Sequence, residues 1–144
     1  MIRPHVVHEV SCPTDGWGSV HWKTLISSDR TPTCEITQGI AELTPTPPDT
    51  FPAHCHVQAE TYYVLSGEGV LRIGDQEHAL SPGVIAFIPG GAHHTTYATG
   101  HEPLRILYSF AANAFSDVLY EFPGLDAEMR GQAGSEAQRN KKPT

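Results

Sequence analysis

Proline and glycine divide this chain into short apolar segments, and this spacing is what most restricts its possible folds. Of the 144 residues, 12 are proline and 13 are glycine. The apolar segments between them are roughly five to nine residues long, and none shows a helical period. Short segments separated by turn residues are typical of an antiparallel β-sandwich or β-barrel. The sequence therefore predicts an all-β protein.

Six of these segments are predicted to be strands. A hairpin turn is expected at 74–76, and the proline-rich stretch 44–50 is expected to be a loop, because its prolines cannot donate ladder hydrogen bonds. Residues 1–125 are predicted to form a single barrel domain. Residues 126–144 have almost no large apolar side chains and are predicted to be a disordered C-terminal tail. The predicted strands are 19–27, 34–43, 61–67, 69–73, 83–89 and 104–111.

The charge balance and the hydropathy restrict the possible partners. The formal net charge is -7, from 16 acidic and 9 basic residues, and the only basic cluster is Lys141 and Lys142. This composition argues against nucleic acid as a partner. No apolar run approaches the roughly 20 residues that cross a bilayer, and the N-terminus does not resemble a signal peptide. We therefore expect a cytoplasmic protein that acts on a small molecule without a membrane or nucleic-acid partner.

The cysteines do not indicate a disulfide framework or a cysteine zinc site. Cys12, Cys34 and Cys55 are odd in number and include no C-x-x-C pair. All three are predicted to be free thiols.

Two histidines one residue apart, His54 and His56, are the first sign of a functional site. Side chains of a strand alternate between its faces, so both imidazoles project to the same side and Cys55 points away. Burying each ring without a partner would cost about 1 to 3 kcal/mol, and a metal ion would supply that partner. By the same alternation Glu60 and Tyr62 share a face, so Glu60 can add an anionic oxygen to the same ion.

A third imidazole is available after the turn at Gly90 and Gly91, from His93 or His94. Three neutral histidines and one carboxylate suit a divalent first-row transition metal and leave coordination positions open for catalysis. This donor set accepts Fe, Mn, Ni, Zn or Cu, so the sequence predicts one such ion without naming it.

These residues resemble the two sequence motifs of the cupin superfamily. The stretch HCHVQAETYYVLSG resembles the first motif, with ligands at His54, His56 and Glu60, and GVIAFIPGGAHH resembles the second, with the remaining ligand at His94 rather than His93. Two other motif positions depart from the pattern without affecting a ligand. The resemblance implies a cupin-type antiparallel β-barrel (a double-stranded β-helix or jelly roll), one metal ion, and a homodimer.

The chain is also similar, from about Trp22 to Phe122, to the small bacterial cupins that act as dimethylsulfoniopropionate lyases. The similar segments are WKTLIS, AETYYVLSGEG and FSDVLYEF. This resemblance implies that Tyr62 and Tyr120 are catalytic, with Tyr62 as the general base of a β-elimination. The substrate's sulfonium group would lie against aromatic faces, for which Trp22, Tyr120 and Phe115 are candidates.

Several alternatives remain open at this point. Tyr62, Trp22 and Phe115 can equally be packing residues of the barrel interior. An iron-dependent dioxygenase, a sugar-acid isomerase or an N–N bond-forming cupin would use the same ligands, since a fold does not determine a reaction. A non-catalytic ligand-binding or sensory cupin is the alternative from another class. The sequence contains no recognisable DNA-binding domain, so we expect an enzyme.

Overall fold

The computed structural model describes residues 3–45 and 51–124, which form nine strands and two 3₁₀ turns, at Glu9–Ser11 and Phe115–Asp117. Neither of these turns is long or apolar enough to cross a membrane, and no other helix is found in the described part of the chain. The strands are β1 (Asp15–Trp17), β2 (Val20–Ile26), β3 (Thr37–Leu43), β4 (Glu60–Ser66), β5 (Gly69–Ile73), β6 (Gln76–Leu80), β7 (Ile85–Ile88), β8 (His94–Ala98) and β9 (Leu104–Phe110).

The strands form two sheets, and all neighbouring strands are antiparallel. The larger sheet has the order β1-β2-β3-β9-β4-β7, and the smaller has the order β6-β5-β8. Val64 and Ile106 of the larger sheet share one buried apolar cluster with Leu71 and Leu80 of the smaller sheet. The two sheets therefore enclose a common interior, as in a jelly-roll barrel.

Strand β9 shows how the sequence selects the inward face. Leu104, Ile106, Tyr108 and Phe110 are buried, and the residues between them are partly exposed. Because strand side chains alternate, one apolar residue in two is enough to cover the interior.

Cross-strand register places the inward residues of the larger sheet in three parallel rows. Successive rows lie two residues apart along each strand, which is about 7 Å. We call them the metal row (Thr37, Phe110, Glu60), the middle row (Thr24, Gly39, Tyr108, Tyr62) and the far row (Trp22, Ala41, Ile106, Val64).

The six predicted strands are confirmed as β2, β3, β4, β5, β7 and β9; four of them, β2, β3, β7 and β9, are shorter than predicted, and β4 begins and ends one residue earlier. β3 begins at Thr37 rather than at residue 34, since Glu35 has a positive φ of 71° that interrupts the extended chain. β7 begins at Ile85 because Gly83, with φ 91°, turns the backbone. The three-residue strand β1 was not predicted, because it is too short to show a period. The hairpin turn is confirmed between β5 and β6.

Two predicted segments lie largely or wholly outside the described residues. Of the loop 44–50 the structure describes only Thr44 and Pro45, which are not in a strand. The predicted tail 126–144 is not among the described residues.

Candidate metal centre and cavity

Three buried imidazoles from two distant parts of the chain meet inside the barrel. The potential ligand atoms of His54, His56 and His94 all lie within 4.8 Å of one another. The three residues are 3%, 4% and 1% exposed. His54 and His94 form an isolated antiparallel bridge, in which each backbone N–H donates to the other's carbonyl at 3.0 and 2.9 Å. Backbone pairing therefore fixes the distance between the two parts of the cluster.

Each imidazole is oriented in the same way by a backbone carbonyl two residues away. The Nδ1 atoms of His54, His56 and His94 lie 3.1, 2.9 and 2.9 Å from the carbonyl oxygens of Pro52, Gln58 and Ala92. Because a carbonyl can only accept, each Nδ1 carries the hydrogen and each Nε2 presents a lone pair. This tautomer is the one in which Nε2 binds a metal.

The Nε2 lone pairs and the Glu60 carboxylate lie close together, and no lysine or arginine of the described residues forms an ion pair with this carboxylate. Glu60 Oε2 lies 3.2 Å from His56 Nε2 and 3.4 Å from His94 Nε2. His94 Nε2 is buried and makes no hydrogen bond within the described residues. Burial and the neighbouring His94 lower the pKa of His54 well below its usual value, so this ring stays neutral. A divalent cation would satisfy this arrangement, and the residues present therefore fit a metal ion.

The turn between β7 and β8 joins the two parts of the cluster through a close backbone contact. Gly91, at φ 80°, donates its N–H to the His56 carbonyl at 2.7 Å. A Cβ on Gly90 would overlap the carbonyl oxygen of Val57. The lack of a side chain at Gly90 is therefore what lets this turn lie against residues 56–57 and deliver His94 to the site.

Substitution Gly90→Ala should destabilise the fold and loosen the histidine cluster. The overlap with Val57 is with backbone, which cannot rotate away, so we expect a loss of about 1 to 3 kcal/mol in the free energy of unfolding. Chemical denaturation followed by tryptophan fluorescence measures this loss. Gly100→Ala is the matched control, because its nearest atoms are 3.9 Å from the added Cβ. Equal stability of the two variants would contradict the assigned contact.

A cavity extends from the histidine cluster between the two sheets. Its volume, including its open mouth, is ≈ 730 Å³. Among the described residues that line it, Glu60 carries the only carboxylate and none is a lysine or arginine. Of its fifteen lining residues eight are Trp, Phe or Tyr: Trp17, Val20, Trp22, Ala41, Leu43, Phe51, His54, Glu60, Tyr62, Thr96, Ile106, Tyr108, Phe110, Phe115 and Tyr120.

The residues predicted to act on the substrate all line this cavity. Tyr62 follows Glu60 by two residues on β4, as the alternation predicts, and is partly buried. Tyr120 places its ring edge-on to the His54 ring, with 5.0 Å between centroids. Trp22 and Phe115 pack edge to face at 6.2 Å. The structure thus brings these four side chains together around one space, and their roles stay predictions.

Burial and the Glu60 carboxylate raise the pKa of both Tyr62 and Tyr120 well above the ordinary value of 10. Both phenols are therefore neutral in the chain by itself. Either one could act as a base only with a nearby positive charge that favours the phenolate.

The structure also distinguishes His94 from His93 and shows where Tyr63 and Cys55, both expected to point away from the site, are located. His94 faces the cluster, whereas His93 is exposed. Tyr63 is 42% exposed, as expected for the outward face of β4. Cys55 points away from the cluster but is only 7% exposed, because Glu121 pairs with it through backbone bonds of 3.0 and 2.9 Å.

Sequence reasoning missed nine of the fifteen cavity residues, and five of these nine are aromatic or polar: Trp17, Phe51, Thr96, Tyr108 and Phe110. The alternation of β9 would have indicated Tyr108 and Phe110, and the spacing of two residues from His94 would have indicated Thr96. No pattern indicates Trp17, which lies on the three-residue β1. Phe51 follows the proline-rich loop, where neither strand nor helix periodicity exists.

Comparisons with known proteins agree with this architecture. Residues 42–110 match the family described as Cupin domain. No curated protein matches the sequence. The polyketide cyclase RemF from Streptomyces resistomycificus is 18% identical with a TM-score of 0.72, over 96% of this chain and 99% of RemF.

Two further solved structures have the same fold. A predicted oxalate decarboxylase from Thermotoga maritima is 18% identical with a TM-score of 0.60, over 75% of this chain and 99% of that protein. The iron(II) form of HppE is 19% identical with a TM-score of 0.62, over 74% of this chain and 60% of HppE. Likeness at this level of identity concerns the fold alone. This chain therefore has the cupin fold, a nearly all-β jelly roll whose interior holds a three-histidine cluster of metal-site type.

Proposed function

We propose that this protein is a metal-dependent enzyme that removes a proton from carbon beside a carbonyl group and closes a ring in a largely apolar substrate. The observation that carries this proposal is the distribution of charge in the cavity. Its ionisable metal-type ligands lie at one end, and most of the remaining wall is aromatic or aliphatic. Such a cavity suits a substrate that presents one oxygen to the metal and keeps an uncharged body between the sheets.

The aromatic lining of the cavity and the comparison with RemF support a polyketide-like substrate. Two tryptophans, three phenylalanines and three tyrosines line it, which favours flat, conjugated molecules. RemF, whose fold likeness spans nearly the whole of both chains, is a polyketide cyclase.

His54, His56 and His94, together with Glu60, would hold the metal. A divalent ion bound there would polarise a carbonyl oxygen, acidify the adjacent carbon and favour the phenolate of Tyr62. The Nδ1–H bonds to backbone carbonyls hold the three rings in the required tautomer throughout.

Tyr62 is the residue proposed to move the proton. In the metal-loaded protein its phenolate takes the proton from the carbon beside the carbonyl. The resulting carbanion attacks a second carbonyl carbon of the same substrate, forming the new C–C bond. The oxygen of that second carbonyl takes the proton back from Tyr62, which leaves a hydroxyl group and regenerates the phenolate. No atom is gained or lost, so the step needs no other reactant.

A dimethylsulfoniopropionate-type lyase is the second candidate, and one observation favours it. The rings of Trp22, Phe115 and Tyr120 all line the cavity, and such faces attract a sulfonium cation. The first step would be the same removal of a proton by Tyr62. The electron pair of the C–S bond would then leave with dimethyl sulfide, and acrylate would remain.

The proposal is tested with three substrates and protein reconstituted in parallel with iron(II), manganese, nickel, zinc and copper. The first is 2-acetylnaphthalene in D₂O, whose methyl protons exchange if the chain promotes proton removal. The second is an aryl-substituted 1,5-diketone, which reports ring closure. The third is dimethylsulfoniopropionate, which reports elimination through dimethyl sulfide.

We expect exchange and ring closure above the rate with free metal ion, and no dimethyl sulfide. Dimethyl sulfide release without ring closure would replace the cyclase with the lyase. Oxygen consumption would indicate a dioxygenase instead. Tight binding of the ketones with no exchange under any metal would indicate a ligand-binding cupin and overturn the enzyme proposal.

A further inference from the structure

The cavity contains buried polar atoms that neither the metal nor the proposed proton transfer uses. Trp22 and Tyr108 are lining residues whose polar atoms, Nε1 and Oη, have no hydrogen-bond partner of normal geometry within the described residues. The two residues are only 8% and 4% exposed, so solvent does not reach them freely. Buried polar groups are nearly always hydrogen-bonded, and two unpaired donors beside one cavity indicate that a ligand supplies their partner.

Trp22 and Tyr108 belong to the part of the cavity remote from the histidines. Tyr108 lies in the middle row, one row beyond Glu60, and Trp22 lies in the far row, two rows beyond it. Their backbones are thus about 7 and 13 Å from the metal row along the strands. Phe115 contacts both rings, with centroids 6.2 Å from Trp22 and 5.9 Å from Tyr108.

Gly39 determines where the hydroxyl of Tyr108 lies. Tyr108 on β9 pairs with Gly39 on β3, which pairs with Thr24 on β2. A Cβ on Gly39 would overlap both Cζ and Oη of Tyr108, so the phenol crosses β3 over this glycine. The hydroxyl therefore points towards β2, the strand that carries Trp22. The hydroxyl lies near Thr24, but Tyr108 Oη and Thr24 Oγ1 are not aligned for a normal hydrogen bond, so both atoms lack a partner within the described residues.

The chemistry of these two groups specifies the partner. An indole N–H can only donate a hydrogen bond. Burial raises the pKa of Tyr108 above its ordinary value, so its hydroxyl is protonated and can donate as well. The complementary substrate group is an acceptor, such as a carbonyl or ether oxygen. A sulfonium group has no acceptor to offer.

Building on the proposed function, we propose that Trp22 Nε1 and Tyr108 Oη form an oxygen-recognition site that selects substrates with a second oxygen roughly 7 to 13 Å beyond the metal row. The substrate class is then a ketone of at least bicyclic length with oxygen at both ends. Trp22 and Tyr108 are specificity residues in this proposal, and they take no part in proton transfer.

The test compares binding of two ketones that differ in one atom. One is 6-methoxy-2-acetylnaphthalene, and the other is 6-ethyl-2-acetylnaphthalene, in which a methylene replaces the remote oxygen. Their dissociation constants are measured by titration calorimetry on the metal-loaded protein. We expect the methoxy ketone to bind about tenfold more tightly, because only its oxygen satisfies the buried donors.

Two variants remove one donor each and keep the ring. Trp22→Phe and Tyr108→Phe should each bring the two affinities close together while leaving binding of the ethyl ketone nearly unchanged. Phe115→Leu is the matched control, because it alters the packing between the two rings without removing a donor, and it should weaken both ketones alike. Thermal denaturation checks that each variant is folded, and Tyr108→Phe keeps the test decisive if Trp22→Phe does not fold.

Equal affinity of the two ketones for the unmodified chain would overturn the proposal, since water would then be satisfying the donors. A tenfold preference that persists in both variants would also overturn it. Because the readout is binding, a preference lost in the variants supports the site even if no proton exchange is observed. Proton exchange without a preference for the methoxy ketone would support the proposed function and contradict the oxygen-recognition site.

Discussion

His94→Ala should purify without stoichiometric metal, whereas His93→Ala should retain it. His94 supplies a buried Nε2 with no hydrogen-bond partner in the described structure, and His93 is exposed on the opposite side of the chain. Removing a residue that only hydrogen-bonds to a metal ligand already lowers metal affinity about 10- to 100-fold. Removing the ligand itself should therefore lower the affinity at least about 100-fold. Elemental analysis after dialysis, followed by metal titration, measures the difference.

The design separates loss of a ligand from loss of the fold. The bridge between His54 and His94 uses backbone atoms, so alanine at position 94 keeps both of its hydrogen bonds. Similar melting temperatures of the metal-free variants would show that the barrel is intact. Full metal occupancy in His94→Ala would mean that the ion binds elsewhere.

Glu60→Gln extends the same experiment to the fourth proposed ligand. Glutamine keeps the size of the side chain and removes its charge, next to two Nε2 atoms at 3.2 and 3.4 Å. Weaker metal binding would support Glu60 as a ligand. Unchanged affinity would restrict the ligand set to the three histidines.

Tyr62→Phe should abolish most catalysis and leave the metal in place. Phenylalanine preserves the ring that lines the cavity and removes only the hydroxyl proposed to carry the proton. General acid–base residues contribute about 10² to 10⁴ in rate, so we expect a loss of that size in the exchange of 2-acetylnaphthalene protons. The measurement is proton NMR in D₂O with equal metal occupancy in both proteins.

The neighbouring Tyr63→Phe is the matched control, because Tyr63 lies on the outward face of β4 and is 42% exposed. The pH dependence provides a second readout. A base must be deprotonated, so the rate should rise with pH in the unmodified chain, and this rise should disappear in Tyr62→Phe. If Tyr62→Phe retains the full rate and the same pH profile, Tyr62 is a packing residue, and Tyr120 becomes the candidate base.

The sequence predicted the strands and the inward residues wherever local alternation was long enough to read. His54 and His56 lie outside the nine strands, in an extended segment with isolated bridges, and Glu60 and Tyr62 lie on β4. In both places side chains two residues apart share a side, because extended backbone repeats every two residues. β1 escaped prediction because three residues give no period. The late start of β3, at Thr37, came from a positive φ at Glu35, which its residue type does not predict.

The sequence by itself thus determined which side chains of each segment point inward. The spacing of the two motifs also indicated that the segment with His54, His56 and Glu60 and the segment with His94 belong to one site. Only the tertiary structure decided how closely they meet. The contact of Gly90 with the Val57 carbonyl brings His94 to the cluster, and the lack of a side chain at Gly39 lets the Tyr108 ring cross β3 towards β2. These contacts join residues far apart in the chain, so they depend on sheet order and register, which local periodicity does not encode. Alternation along a strand predicts which face of the sheet a side chain lies on, whereas contacts between strands determine which residues it meets there.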